Sequence, residues 1–151
     1  MFQSCSTRCG RHPTHSLGAV YRHDIRVRYG DCDMQKVVFN AHYLAYCDDA
    51  AMCWFSTRLG ERMHEFDCML KSVNVVWHRP LRLGDVASLE CSVTRWGNSS
   101  FDVSINGHVG DEPSFDTTIV YVSTTPGAPT VVPVPEWVRE AFAVDEAFSA
   151  Q

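Results

Sequence analysis

Two aspartates, Asp31 and Asp33, stand near the start of the stretch Tyr29–Ala50, which reads YGDCDMQKVVFNAHYLAYCDDA. The apolar pair Val37–Val38 and then Phe39 separate them from Asn40, where a helical pattern begins. A carboxylate held a few residues ahead of a helix N-terminus can attack a carbonyl carbon or take a proton from water. The unpaired N–H groups of the first helical turn stabilise the oxyanion that follows. Other readings of the same residues are blander. Aspartate commonly caps local backbone N–H groups in turns, and that is the reading adopted for Asp31. A D-x-D pair also occurs in metal-dependent phosphotransfer, but there it follows a continuous apolar parallel strand, and the preceding RVRY is too polar for one. Cys32 with His42 would make a nucleophile–base pair. Cysteine is usually a buried residue, however, and no spacing fixes such a partner.

The remaining residues capable of chemistry form no equally ordered group. The seven cysteines, at 5, 9, 32, 47, 53, 68 and 91, are irregularly spaced and odd in number. Without an export signal they are expected to be reduced thiols. Cys5, Cys9, His12 and His15 read C-x3-C-x2-H-x2-H, which crowds the two pairs compared with a finger module, so a tail is expected there and not a metal site. His23, His64, His78 and His108 show no metal-ligand spacing and read as structural or surface residues. No metal and no cofactor are expected. The net charge is −5, with only Lys36 and Lys71 as lysines and eleven scattered arginines, which argues against a nucleic-acid partner. No apolar run approaches the ~20 residues needed to span a bilayer. The first residues, MFQSCSTRCGRHPTHS, lack the apolar core of a secretory signal, so a cytoplasmic location is expected.

The elements that must position Asp33 can be read from periodicity. Residues 1–18 are Ser-, Arg-, His- and Gly-rich and form an expected leader, 19–145 a single domain, and 146–151 a tail. Residues 21–29 alternate, with Ile25, Val27 and Tyr29 on one face, and predict a strand ended by Gly30. From 41 to 59 the apolar residues recur at helical spacing, with Asn40 as N-cap and Gly60 as the stop. Strands are predicted over 70–77, 86–96, 101–109 and 115–123, with Arg95–Ser100 as a hairpin turn. A short helix is predicted over 136–142. The stripe Tyr43, Cys47, Ala50, Trp54 belongs to the core. One mostly apolar helix against one curved sheet is an α+β solution, and its uncovered edges call for oligomerisation.

With these elements in place, the chain resembles the hotdog-fold acyl-CoA thioesterases, specifically the 4-hydroxybenzoyl-CoA thioesterase-like branch. YGDCDMQKVVFNAHYLAYCDDA is similar to that branch's aromatic–G–D–C–D pattern, three residues, an apolar pair and a helix. VVWHRPLRLGD resembles its second-strand segment ending R-P-x-R-x-G-D, and VTRWGNSSFDVSI and VPVPEWVREAF also have counterparts. The resemblance covers roughly residues 21–142. It implies a long central helix wrapped by a five-stranded antiparallel sheet, assembled as a homodimer or homotetramer with active sites between subunits. It implies an acyl-CoA substrate, Asp33 as nucleophile or general base, and the backbone N–H at or near Asn40 as the group that polarises the thioester carbonyl.

The resemblance also suggests Val38, Phe39, His42, Tyr43 and Asp48 as pocket residues, Asp48 meeting polar atoms of the acyl group. Two departures stand out. Lys36 occupies a place where many relatives have Gly, so it either changes the turn or lies close to Asp33. The turn at Gly97–Ser100, basic in the aromatic-substrate relatives, is neutral here, leaving Arg79, Arg82 or Arg95, with Ser99, for the coenzyme A phosphates. Two other functions remain open. A hydratase or dehydratase of acyl thioesters would need a His–acid pair, for which His42 and Asp48 are the candidates. A non-catalytic acyl-CoA-binding protein would bind without turnover.

Overall fold

The computed structural model describes residues 20–143; the leader, its Cys5, Cys9, His12 and His15, and the tail lie outside them. Strand β1, Tyr21–Arg26, leads through a 3-10 turn at Tyr29–Asp31 to helix α1, Asn40–Leu59. A second 3-10 segment, Gly60–Glu65, precedes the strands β2, Asp67–Trp77; β3, Val86–Trp96; β4, Ser100–Val109; and β5, Glu112–Thr124. Helix α2, Glu136–Ala143, closes the described chain.

The strands form one antiparallel sheet in the order β1-β3-β4-β5-β2. β3, β4 and β5 are a meander of successive hairpins. β2 leaves that succession and pairs along β5 at the far edge, from Asp67 opposite Thr124 to Trp77 opposite Phe115. Sequential pairing of β2 with β3 would be the simplest reading of the strand run, and it does not occur. The connector between β2 and β3 instead crosses from one edge region toward the other, passing the loop that carries Asp33.

Alternation fills the space between sheet and helix. Leu89, Cys91 and Val93 of β3 and Phe101, Val103 and Ile105 of β4 turn inward and are buried. α1 answers with Tyr43, Tyr46, Cys47, Ala50, Ala51, Trp54, Phe55 and Leu59, its buried stripe. Ala50 and Ala51 let the helix lie close to the sheet, while Trp54 and Phe55 fill its far end. There α2 inserts Val138 and Phe142, with the Phe142 ring edge-on to Trp54 at 4.8 Å. Such aromatic pairs contribute about 0.5–1.5 kcal/mol beyond their burial. The connection to α2 is anchored by Val134 N–H on the Asn98 carbonyl and by the Arg139 guanidinium on the Gly97 carbonyl. Gly107 permits the closest approach inside the sheet, since a Cβ there would overlap the Phe115 ring. The arrangement is the hotdog fold that the sequence resemblance implied.

Two local expectations are corrected. Tyr29 does not continue the inward face of β1. Its side chain is 85% exposed, because the Asp31 carboxylate captures the Arg28 N–H and folds the chain into a 3-10 turn after Val27. Asn40 is not the N-cap of α1 but its first helical residue; Phe39 takes the cap position, without a side-chain hydrogen bond.

Candidate active site

The loop between the 3-10 turn and α1 is a tight hairpin. Asp33 N–H donates to the Val37 carbonyl and Lys36 N–H to the Asp33 carbonyl, both at 2.9 Å, and Cys32 bridges Val38. One carboxylate oxygen of Asp33, Oδ1, accepts the Gln35 N–H at 2.7 Å, an Asx-type turn that orients the side chain and leaves Oδ2 available. The hairpin closes only because Lys36 takes φ +63°, the left-handed region that glycine enters at little cost. The turn is thus not changed by the substitution: Lys36 takes the left-handed backbone geometry that a glycine would take here.

Asp31 ties this hairpin to the helix. Its carbonyl accepts the Phe39 N–H at 2.9 Å and faces His42 Nδ1 at 2.8 Å. A carbonyl can only accept, so the proton sits on Nδ1 and Nε2 is left as the other ring position. The Asp31 carboxylate accepts the Arg28 N–H at 2.9 Å and the Tyr46 hydroxyl at 2.7 Å through Oδ2. Partial burial alone would raise the Asp31 carboxyl. The hydrogen bonds from Arg28 and Tyr46, with the charges of His42 and Arg28, outweigh that and hold it below the usual carboxylate range. Tyr46 moves the opposite way, pushed up by burial first and by the adjacent carboxylate second. Asp31 is thus a turn residue, as read from sequence, and also a junction of the loop, β1's exit and the helix.

The other flank of the hairpin is tied to the connector after β2. Val38 N–H donates to the Leu81 carbonyl, Val37 bridges Arg82, and Leu81 N–H returns to the buried Tyr43 hydroxyl at 3.0 Å. Burial pushes the Tyr43 phenol up, so it remains protonated. The whole device delivers Asp33 beside the start of α1. Among the described residues, no acceptor meets the N–H of Asn40 or Ala41, so those donors are open to a ligand.

The structure does not gather all the expected residues at one point. Asp33, Val38, Phe39, Asn40, His42 and Tyr43 cluster around the helix start, Val38 and Tyr43 buried and Phe39 half-exposed and edge-on to His42. Asp48 lies two turns further along α1, about 12 Å by helical rise. It stands at a cleft of about 360 Å³ between α1 and β2, lined by Met52, Phe55, Phe66, Leu70 and Tyr121. Burial there raises the Asp48 carboxyl above its ordinary value. Arg79 pairs with Glu112 at 2.9 Å, and Arg95 makes a two-pronged pair with Asp102 at 2.7 and 2.8 Å while also reaching Ser100. Ser99 lies in the β3–β4 turn, its carbonyl accepting the Ser123 N–H. Of the three candidate arginines, Arg82 is the one next to the Asp33 hairpin; its side chain is exposed, with no acidic partner among the described residues. The sequence reading missed the Tyr46–Asp31 bond, since nothing in a buried helical tyrosine announces a partner fifteen positions back.

The chain matches the family model described as "Thioesterase superfamily" over residues 35–125, more than half its length. This chain belongs to the thioesterase superfamily. Its fold recurs in solved members. A thioesterase from Thermus thermophilus, complexed with coenzyme A and zinc, is 26% identical, with 80% of this chain and 90% of that one covered at a TM-score of 0.71. A 1,4-dihydroxy-2-naphthoyl-CoA thioesterase from Synechocystis is 16% identical over 82% of this chain and 96% of that one, TM-score 0.72. A gentisyl-coenzyme A thioesterase is 22% identical over 82% and 100%, TM-score 0.73. No curated protein matches the sequence. As a thioesterase-superfamily member the chain is a thioester hydrolase of hotdog architecture. No described helix is long and apolar enough to cross a membrane.

Proposed function

We propose that this thioesterase hydrolyses an acyl-CoA with Asp33 as the reacting carboxylate and the N–H groups of Asn40 and Ala41 as the oxyanion donors. One observation carries the reading: the Asp33 hairpin is bolted to the uncapped N-terminus of α1 through the Asp31 carbonyl. The carbonyl oxygen of a thioester lying against the helix start would gain negative charge where two unpaired donors and the helix dipole already point. Asp33 Oδ2, free of internal hydrogen bonds, either attacks the carbonyl carbon, giving a mixed anhydride that water then cleaves, or takes a proton from the attacking water. Either route expels coenzyme A thiolate, a leaving group that needs little acid assistance.

The apolar cleft beginning at Asp48 supports an aromatic or short- to medium-chain acyl group, with the raised Asp48 carboxyl facing a polar atom of it. For the phosphates of coenzyme A, Arg82 is the arginine beside the hairpin, whereas Arg79 and Arg95 would have to exchange their carboxylate partners. A second copy of the chain completes the site in this reading. β2 is an outer edge of the sheet and carries exposed Met69, Leu70, Val76 and Trp77, a surface suited to pairing in a homodimer or dimer of dimers. The hydratase reading lacks its pair, since His42 Nδ1 is engaged by Asp31 and no hydrogen bond joins His42 to Asp48.

A panel of aromatic, short, branched and long acyl-CoAs, assayed by thiol release, tests the proposal. Asp33→Asn is expected to lower kcat by at least about 10²-fold on the best substrate while the thermal transition is kept. Full activity in Asp33→Asn would remove the carboxylate from the mechanism. Saturable binding of CoA esters without turnover by the wild-type chain would favour a non-catalytic binder.

A further inference from the structure

We propose that His23, Asp49 and Cys53 form a binding site for a divalent transition-metal ion of the zinc type, away from the Asp33 hairpin. One donor atom from each lies within 4.8 Å of the other two, and His23 Nε2 is 2.9 Å from Asp49 Oδ2. Tetrahedral zinc with N, O and S ligands requires donor–donor separations of roughly 3.3–3.8 Å, so small side-chain rotations bring this trio to ligand geometry. The framework that holds it is rigid. Asp49 and Cys53 are four residues apart on α1 and share a face, and His23 reaches them from β1.

The placement of His23 also singles the trio out. Alternation turns Tyr21, His23 and Ile25 toward the helix, and Tyr21 and Ile25 pack on the core as that row should. A histidine replaces an apolar residue in the middle of the row, with its side chain only 21% exposed, while Asp49 is 63% exposed. The site therefore has a half-buried nitrogen and a half-buried sulfur, with a carboxylate at the solvent side. Three protein donors and one open position match the donor count of a zinc ion that keeps a water. One imidazole, one thiolate and one carboxylate favour a borderline ion such as Zn²⁺ over Mg²⁺ or Ca²⁺, which take oxygen donors. On binding, the Cys53 thiol releases its proton to solvent, and the His23 proton moves from Nε2 to Nδ1. The sequence could not show this site, because the histidine comes from a different element 26 residues before Asp49.

Cobalt(II) titration of the full chain tests the proposal, carried out on a Cys5→Ser/Cys9→Ser background so that the N-terminal cysteines give no signal. Expected are one equivalent bound, tetrahedral visible bands, and a thiolate-to-cobalt charge-transfer band that zinc abolishes by displacement. Cys53→Ser should remove the charge-transfer band, and His23→Gln should weaken binding by more than about tenfold. Magnesium should not compete. The proposal fails if the background protein shows no saturable binding, or if the charge-transfer band survives in Cys53→Ser. Binding that is lost with the Cys5→Ser/Cys9→Ser change alone would also overturn it. A His23–Asp49 hydrogen bond without metal affinity is the outcome in the first of these cases.

Discussion

Replacing Tyr46 with Phe removes one hydroxyl and leaves the packing of a residue that is only 7% exposed. That hydroxyl donates to the Asp31 carboxylate at 2.7 Å, so the substitution isolates one charge-assisted hydrogen bond. Such bonds contribute about 1.5–3 kcal/mol, and because Asp31 is partly solvated the expected loss is about 1–2 kcal/mol. For a domain of this size that lowers Tm by about 2–8 °C. The pH dependence has a definite sign. The folded-state pKa of Asp31 is depressed, so its contribution is fully present above the unfolded value near 4 and is lost as pH falls through the folded value. Urea unfolding of wild type and Tyr46→Phe should therefore differ by the full amount at pH 7 and converge below about pH 4. Adding Asp31→Asn and the double variant closes a thermodynamic cycle, and the coupling energy should be about 1 kcal/mol or more. A gap of less than about 0.5 kcal/mol at pH 7, or one that does not change with pH, would refute the role given to this bond. Because Asp31 also holds the hairpin, kcat should fall with the Tyr46→Phe change while an Asp33-independent property, the far-ultraviolet spectrum, stays unchanged.

Other outcomes follow from the same geometry. Lys36→Gly should leave stability unchanged or raise it by up to about 1 kcal/mol, since left-handed strain is relieved against a looser unfolded chain, whereas Lys36→Val should cost about 1 kcal/mol or more; thermal melts distinguish them. Tyr43→Phe strands the buried Leu81 N–H and should cost about 1–3 kcal/mol in urea unfolding, with a loss of kcat because Leu81 also anchors Val38. Arg82→Gln should raise KM for an acyl-CoA by about tenfold and leave a pantetheine thioester without the nucleotide phosphates unaffected, which steady-state kinetics on both substrates would show.

The local patterns of this chain are legible in one dimension. Apolar spacing from Tyr43 to Leu59 and the stop at Gly60 specify α1, and a looser alternation specifies β3 and β4, because each residue's face follows from its position along its own element. The Asp33 motif is legible for the same reason: carboxylate, turn and helix start are neighbours in sequence. The ends of elements were less so, as Tyr29 and Phe39 illustrate, since a side chain of Asp31 decided one and the absence of a cap the other. Tertiary structure alone decided the rest. It paired β2 with β5, a choice of partner that no local propensity contains. It brought Tyr46 to Asp31, committed Arg79 and Arg95 to carboxylates while leaving Arg82 beside the hairpin, and set His23 against Asp49 and Cys53. Those contacts join distant segments, and sequence spacing carries no information about them until the sheet has wrapped the helix.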